Sequence, residues 1–189
     1  MILLDPLRVH VWTSQTASAS INHQITGVFM LKRRIAVRGV AYENGKILSV
    51  LHKDHEGNPT DFWAIPGGGL DPGESLIDGL YREMIEETNI APKIGRLLFV
   101  QQFAFENRLG EAREELEFFF QLENPEDYRT VNLSKTTHGT LELADCTFVD
   151  PRQTNIMPAF FRTIDLESYC TSHKPVYMWN ELPAAANAN

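Results

Sequence analysis

The stretch GGLDPGESLIDGLYREMIEETNI, Gly68 to Ile90, decides how the rest of the chain is read. It opens in a loop, Gly67 to Gly73, where glycines at 67, 68, 69 and 73 and Pro72 leave no regular period and few side chains between the backbone and a ligand. Ser75, followed three positions later by Asp78, is a capping-box-like start, so the spacing predicts a helix over Ser75 to Thr88. At about 100° per residue, Ile77, Leu80, Tyr81, Met84 and Ile85 share one arc, which predicts a face packed on a sheet. Glu83, Glu86 and Glu87 fall in a separate arc, so three carboxylates project from neighbouring positions of one turn. They repel: two unit charges about 5.5 Å apart at an effective dielectric near 20 interact by roughly 3 kcal/mol.

A solvated acidic face would tolerate that repulsion, but the neighbourhood argues for a site. A hard divalent cation such as Mg2+ prefers clustered oxygen ligands and converts three repelling charges into a binding site. Arg82, four residues before Glu86, can orient a carboxylate without taking the metal position.

Working outward, Arg33 to Tyr42 and Lys46 to Leu51 flank Glu43, Asn44 and Gly45, a hairpin signature because Asn-Gly supplies positive φ. Further strands are expected at Phe62 to Ile65, Ile94 to Phe105, Glu114 to Leu122 and Leu141 to Val149, with a second helix at Asn155 to Glu167. Strands, helix, strands, helix is the order of an α+β domain, with a mixed sheet held between helices. The length of 189 residues suits one domain, divided here into an N-terminal extension (1–29), a compact domain (30–170) and a C-terminal extension or tail (171–189).

Composition removes several classes of function. Hydrophobic residues make up 43%, enough for a core, which excludes global disorder and a disulfide scaffold. With 17 basic against 25 acidic side chains, a net charge of -8, and no basic run longer than Lys32 to Arg34, the chain lacks the footprint of a nucleic-acid binder. Cys146 and Cys170 sit in no metal or redox spacing and read as reduced thiols. The tripeptide Ala17-Ser18-Ala19 lacks the basic region of a secretion signal, and no run approaches a membrane span, so a cytoplasmic protein is expected.

Residues 68–90 resemble the Nudix box, G-x5-E-x7-R-E-U-x-E-E-x-G-U with U a bulky aliphatic residue. Gly68, Glu74, Arg82, Glu83, Met84, Glu86, Glu87 and Ile90 match, and Asn89 stands where the family has Gly. That position follows the helix end and needs the left-handed conformation, which Asn tolerates, at a mild cost in stability. The resemblance implies a Nudix-like α/β/α sandwich that hydrolyses a nucleoside diphosphate linked to another moiety, by water attack on phosphorus. It further implies Mg2+ or Mn2+ held by Glu83, Glu86, Glu87 and the Gly68 carbonyl, with Glu74, Arg82 and the glycines at 67, 69 and 73 bracing the loop and the carboxylates. The general base is either Glu86 or a carboxylate on a later loop, where Glu142, with Asp145 nearby, is the candidate.

Other features carry less. His52 and His55 lie near Asp54 without a third ligand in a known spacing. Glu114, Glu115 and Glu117 read as a solvated strand edge. Phe103 and Phe105 share a face and are weak candidates to stack on a nucleobase, core packing being the preferred reading. The alternative within the fold is a nucleotide-binding sensor that does not cleave. An isoprenyl-diphosphate isomerase is disfavoured because neither cysteine sits in a comparable context. The substrate is expected to be a small nucleotide, a nucleoside triphosphate or its oxidised form by default. Ile2 to Leu4 and Val176 to Leu182, with Tyr177 and Trp179, offer surfaces for a homodimer.

Overall fold

A computed structural model describes residues 32–106, 112–137 and 139–182; the expected N-terminal extension, with Ile2 to Leu4, and the tail beyond 182 lie outside the described residues. The first described element is β1 (Lys32–Val40), exposed from Lys32 to Ile35 and largely buried from Ala36 on. It breaks at Ala41, and β2 (Tyr42–Glu43) turns through Asn44 and Gly45, both at positive φ, into β3 (Lys46–His52). The expected single strand from Arg33 to Tyr42 is thus two strands in different sheets. Within β1 itself, Val37 and Val40 point to opposite faces, so one enters each core cluster.

The first sheet runs in the order β10 (Tyr177–Asn180), β6 (Ile94–Glu106), β7 (Ala112–Leu122), β1, β5 (Gly67–Gly69). The second contains β2, β3, β4 (Trp63–Ala64) and β9 (Ile156–Met157), with β8 (Leu143–Val149) paired to β3. Helix α1 (Leu76–Thr88) lies against β5 and β1; α2 (Gly139–Glu142) is one turn, and α3 (Leu166–Thr171) is short. The α+β sandwich expected from the sequence is present, with its sheet divided in two. Among the described residues no helix is long and apolar enough to cross a membrane, and Cys146 and Cys170 are free thiols.

One core cluster joins α1 (Leu80, Met84) to Val37, Leu48, Leu122 and Leu143. The other is aromatic: Phe99, Phe119, Phe160 and Phe161 meet edge to face at centroid distances of 5.5–6.4 Å, apart from the stacked pair Phe160–Phe161. Leu80 and Met84 are fully buried, each a contribution of roughly 2–3 kcal/mol. The apolar arc of α1 is narrower than the periodicity predicts. Ile77 and Tyr81 remain 47% and 48% exposed, because the inner face is completed by Gly79, Glu87 and Thr88 instead.

The expected helix at Asn155 to Glu167 does not form. Pro158 has no N–H for a helical bond, Ile156 and Met157 pair with Trp63 and Ala64, and α3 starts only where Asp165 caps it by accepting from the Ser168 amide. Likewise the strand predicted from Leu141 begins at Leu143, its first residues taken by α2. Residues set apart as a C-terminal extension include β10, which pairs in parallel with β6 and buries Tyr177 and Trp179 against the aromatic cluster.

Candidate active site

The glycine run is not an irregular loop: residues 67–69 form an edge strand antiparallel to β1, with Gly67 opposite Arg38 and Gly69 opposite Ala36. Gly67 has φ +122°, and a Cβ there would lie 2.2 Å from the Val37 carbonyl oxygen, so no other residue permits this approach. A turn through Gly73, at φ +85°, then delivers the chain to Ser75. Ser75 accepts from the Asp78 amide and donates to Asp78 Oδ2 at 2.6 Å, the expected cap. At the other end Asn89 adopts φ 57°, ψ 28°, and its amide closes on the Ile85 carbonyl, as the left-handed expectation required.

Arg82 is the hub of the helix face. Its Nε and Nη2 donate to the two oxygens of Glu74, both at 2.9 Å, and Nη2 also donates to the Gly69 carbonyl at 3.0 Å. Nη1 donates to Glu83 at 2.8 Å and to Glu86 at 3.2 Å. The fork on Glu74, helped by the Asp71 amide, holds that carboxyl down to about 2, and the same bonds raise the arginine further. Glu74 and Arg82 therefore brace the loop against the helix.

Glu87 points inward. It is 6% exposed, and its Oε2 accepts from the Gly67 amide at 2.8 Å. Burial raises its pKa to about 8, with the charges of Glu83 and Glu142 adding to the rise against the Gly67 hydrogen bond and Arg38. Glu83 is also raised, first by burial. Its carboxylate lies over Gly68, where a Cβ would sit 2.5 Å from the carboxyl carbon. Glu142 ends α2, which is tied to β3 by Lys53: its Nζ donates to the Thr140 carbonyl and its amide to the Glu142 carbonyl. The charge of Glu142 is felt at both Glu87 and His52.

Among the described residues no three His, Cys, Asp or Glu side chains converge as a ready-made metal cage. His52 is half-buried, with its pKa lowered by burial and by Arg38, and His55 is exposed beside Glu56. The helix carboxylates fit a hard cation all the same. Their donors are all oxygen, Glu83 occupies a cradle over Gly68 that a side chain would fill, and three of the surrounding carboxylates (Glu74, Glu83 and Glu86) share the single guanidinium of Arg82.

Sequence reasoning missed Arg38 and misread its partners. Glu114, Glu115 and Glu117, expected on a solvated edge, are only 5–6% exposed. Arginines of the parallel neighbour β1 cover them: Arg33 on Glu114 at 3.0 Å, Arg34 on Glu115 at 2.5 Å, and Arg38 Nε on Glu117 at 2.8 Å. Arg38 also donates to the Gly67 carbonyl at 2.5 Å. Burial works against its charge, but Glu117, Glu87 and Glu115 outweigh that and raise its pKa. The signal was present in the adjacent pairs Arg33/Arg34 and Glu114/Glu115, which fall in register across the two strands, but it is readable only once β1 and β7 are known to be neighbours. Beside Arg38, between the sheets, lies a cavity of about 520 Å3 whose lining includes Phe62, Gln101 and Phe103. The side chain of Phe105 lies outside the described residues.

The model of the NUDIX domain matches residues 32–166, most of the chain and all of the elements that build this site. The chain belongs to the NUDIX domain family. Within that family it is 37% identical over 67 residues to an ADP-ribose pyrophosphatase of Methanocaldococcus jannaschii, covering 35% of this chain and 38% of that one. It is 41% identical over 54 residues to an RNA pyrophosphohydrolase of Pelagibacter ubique, covering 25% and 34%. The matches thus span about a third of the length of these curated relatives. The MutT protein of Methanosarcina mazei Go1 shares the NUDIX fold, with a TM-score of 0.51 at 24% identity over 70% of this chain and 90% of that one.

Proposed function

We propose that this NUDIX protein is a metal-dependent pyrophosphohydrolase acting on a nucleoside diphosphate linked to another moiety. The observation that carries the reading is Glu87, a carboxyl buried beside the glycine edge strand and within reach of the charges of Glu83 and Glu142. A fold does not keep such a group cheaply unless a cation answers it. Glu83, Glu86, Glu87 and the carbonyl of Gly68 would hold Mg2+ or Mn2+, which when bound offsets the phosphate charge and acidifies coordinated water. Such a bridge also reconciles a net charge of -8 with an anionic substrate.

The chain's own residues do the rest. Arg82, locked on Glu74, orients Glu83 and Glu86. Glu142, or Glu86 within the helix, accepts the proton of the attacking water as its oxygen bonds to phosphorus and the bridging P–O bond breaks. The two products leave as phosphates. The printed activities of the two curated relatives, both pyrophosphate cleavages, support the reaction class. The free thiols Cys146 and Cys170 suit a reducing compartment and support action in the cytoplasm.

The test is to incubate the full chain with Mg2+ and a panel of nucleoside triphosphates, ADP-ribose, nucleotide sugars and 5′-triphosphorylated RNA, identifying products by mass. Cleavage at a pyrophosphate bond is expected. Tight binding without products would make the protein a sensor, and the absence of both cleavage and binding would dismiss the assignment.

A further inference from the structure

Helix α1 covers only part of the sheet it lies on. Ile35 of β1 pairs with Leu116 of β7 and Val37 with Phe118, while Gln102 and Val100 of β6 stand opposite Leu116 and Phe118. Directly paired residues share a face, so these side chains lie on the face of Val37, the one that packs with Leu80 and Met84 of the helix. The helix sits over the glycine strand and β1: Glu83 lies over Gly68, and a Cβ on Gly79 would meet Leu70 at 2.3 Å. At about 100° per residue, Ile77, Tyr81 and Ile85 then occupy the opposite flank, on the side of β7.

The result is an apolar groove between the free flank of the helix and the strands β7 and β6. Ile35, Ile77 and Tyr81 are 39%, 47% and 48% exposed, and Ile85, Val100 and Leu116 are only half-buried. None of these side chains belongs to either core cluster. The polar groups beside them are already engaged, since Arg33 and Gln102 both donate to Glu114. A contiguous apolar face of this kind, spanning a helix and a sheet, marks a docking surface.

We propose that residues 7–12 of this same chain occupy the groove, with Leu7, Val9 and Val11 against its floor. In the sequence these three apolar residues alternate with Arg8 and His10, a pattern that offers one apolar and one polar face. The chain enters the sheet at Lys32, just before Ile35, so it arrives at the mouth of the groove. The roughly 19 residues between this stretch and Lys32 span about 25 Å as a coil, against about 20 Å for the length of α1. A tether of that reach holds the stretch near the groove at an effective concentration of about millimolar, which a second copy in dilute solution does not match. Docked there, the segment would steady the helix from the flank opposite Glu83 and Gly79, without touching the carboxylates of the candidate site.

Photo-crosslinking on the full chain tests this. One variant carries p-benzoylphenylalanine in place of Tyr81, an exposed position on the helix flank; a second carries it in place of Ile77 and keeps the test open should the first fold poorly. After irradiation the products are separated by size and the attachment sites mapped by mass. Attachment within residues 7–12, in the product the size of one chain, is expected. Adding Val9→Asp and Val11→Asp should cut that yield about 10-fold, because a carboxylate pressed against an apolar floor loses its hydration without gaining a partner. Attachment found only in a product of two chains would give the groove to a second copy. That result, attachment spread evenly over residues 1–31, attachment elsewhere, no product at all, or a yield indifferent to the aspartates would each overturn the proposal.

Discussion

Replacing Glu87 with Gln separates the charge of the buried carboxylate from its shape. The amide keeps the volume and an oxygen for the Gly67 amide, now accepted at 2.8 Å, but it cannot ionise. In the wild type the folded protein holds this carboxyl at about 8 against a reference value of 4.5. An acid whose pKa is raised on folding binds its proton more tightly in the folded state. Stability is therefore complete below about pH 4.5, falls as pH rises towards 8, and levels off beyond. At about 1.4 kcal/mol per pH unit, the full loss in metal-free protein is on the order of 5 kcal/mol. Urea unfolding in the presence of a chelator, at about pH 5 and about pH 8.5, reads the difference directly. The wild type should lose several kcal/mol between the two conditions, and Glu87→Gln should lose far less, whatever its absolute stability. Millimolar Mg2+ should restore the wild type at the higher pH and do little for the variant. Parallel pH profiles for the two proteins would refute the picture of Glu87 as a buried charge awaiting a cation.

Glu142→Gln should lower turnover by roughly 100-fold or more with Mg2+ affinity within a few-fold of wild type, whereas Glu86→Gln should weaken both; an unchanged rate in the first removes Glu142 from the chemistry. Gly68→Ala places a methyl 2.5 Å from the Glu83 carboxyl carbon and 2.5 and 2.6 Å from its oxygens, so the carboxylate must move. A stability loss of about 1–3 kcal/mol, accompanied by a clear drop in Mg2+ affinity measured by calorimetry, is expected, and normal affinity would contradict the cradle. Asn89→Gly relieves a non-glycine residue at φ 57° and should raise the denaturation midpoint, by up to about 1 kcal/mol of stability, without changing turnover.

What the sequence disclosed was local. The Ser75 cap, the left-handed Asn89, the Asn44-Gly45 turn and the helix between them follow from interactions spanning at most a few residues, and each is present in the structure. The acidic turn was legible for the same reason, being a matter of helical spacing. Expectations that depended on which strands are neighbours fared differently. Glu114, Glu115 and Glu117 look solvated until β1 lies beside β7, and Arg38 looks like one more strand residue until β5 pairs across it. The 155–167 segment is amphipathic enough for a helix, but Pro158 and the pairing of Ile156 and Met157 with β4 outweigh its period.

The arginines of β1 also proofread the assembly of the chain. Side chains on a strand swap faces with every residue, so sliding β1 by a single step would turn Arg34 and Arg38 towards Leu80 and Met84 beneath α1 and send Val37 out into the cleft. Two guanidinium groups would then be stranded in hydrocarbon while their glutamates lost their counterions, a penalty no alternative packing could recover. A misaligned β1 therefore fails on energy before it can fail on shape, and the glycine strand that leans on Arg38 is set down in the right place as a by-product.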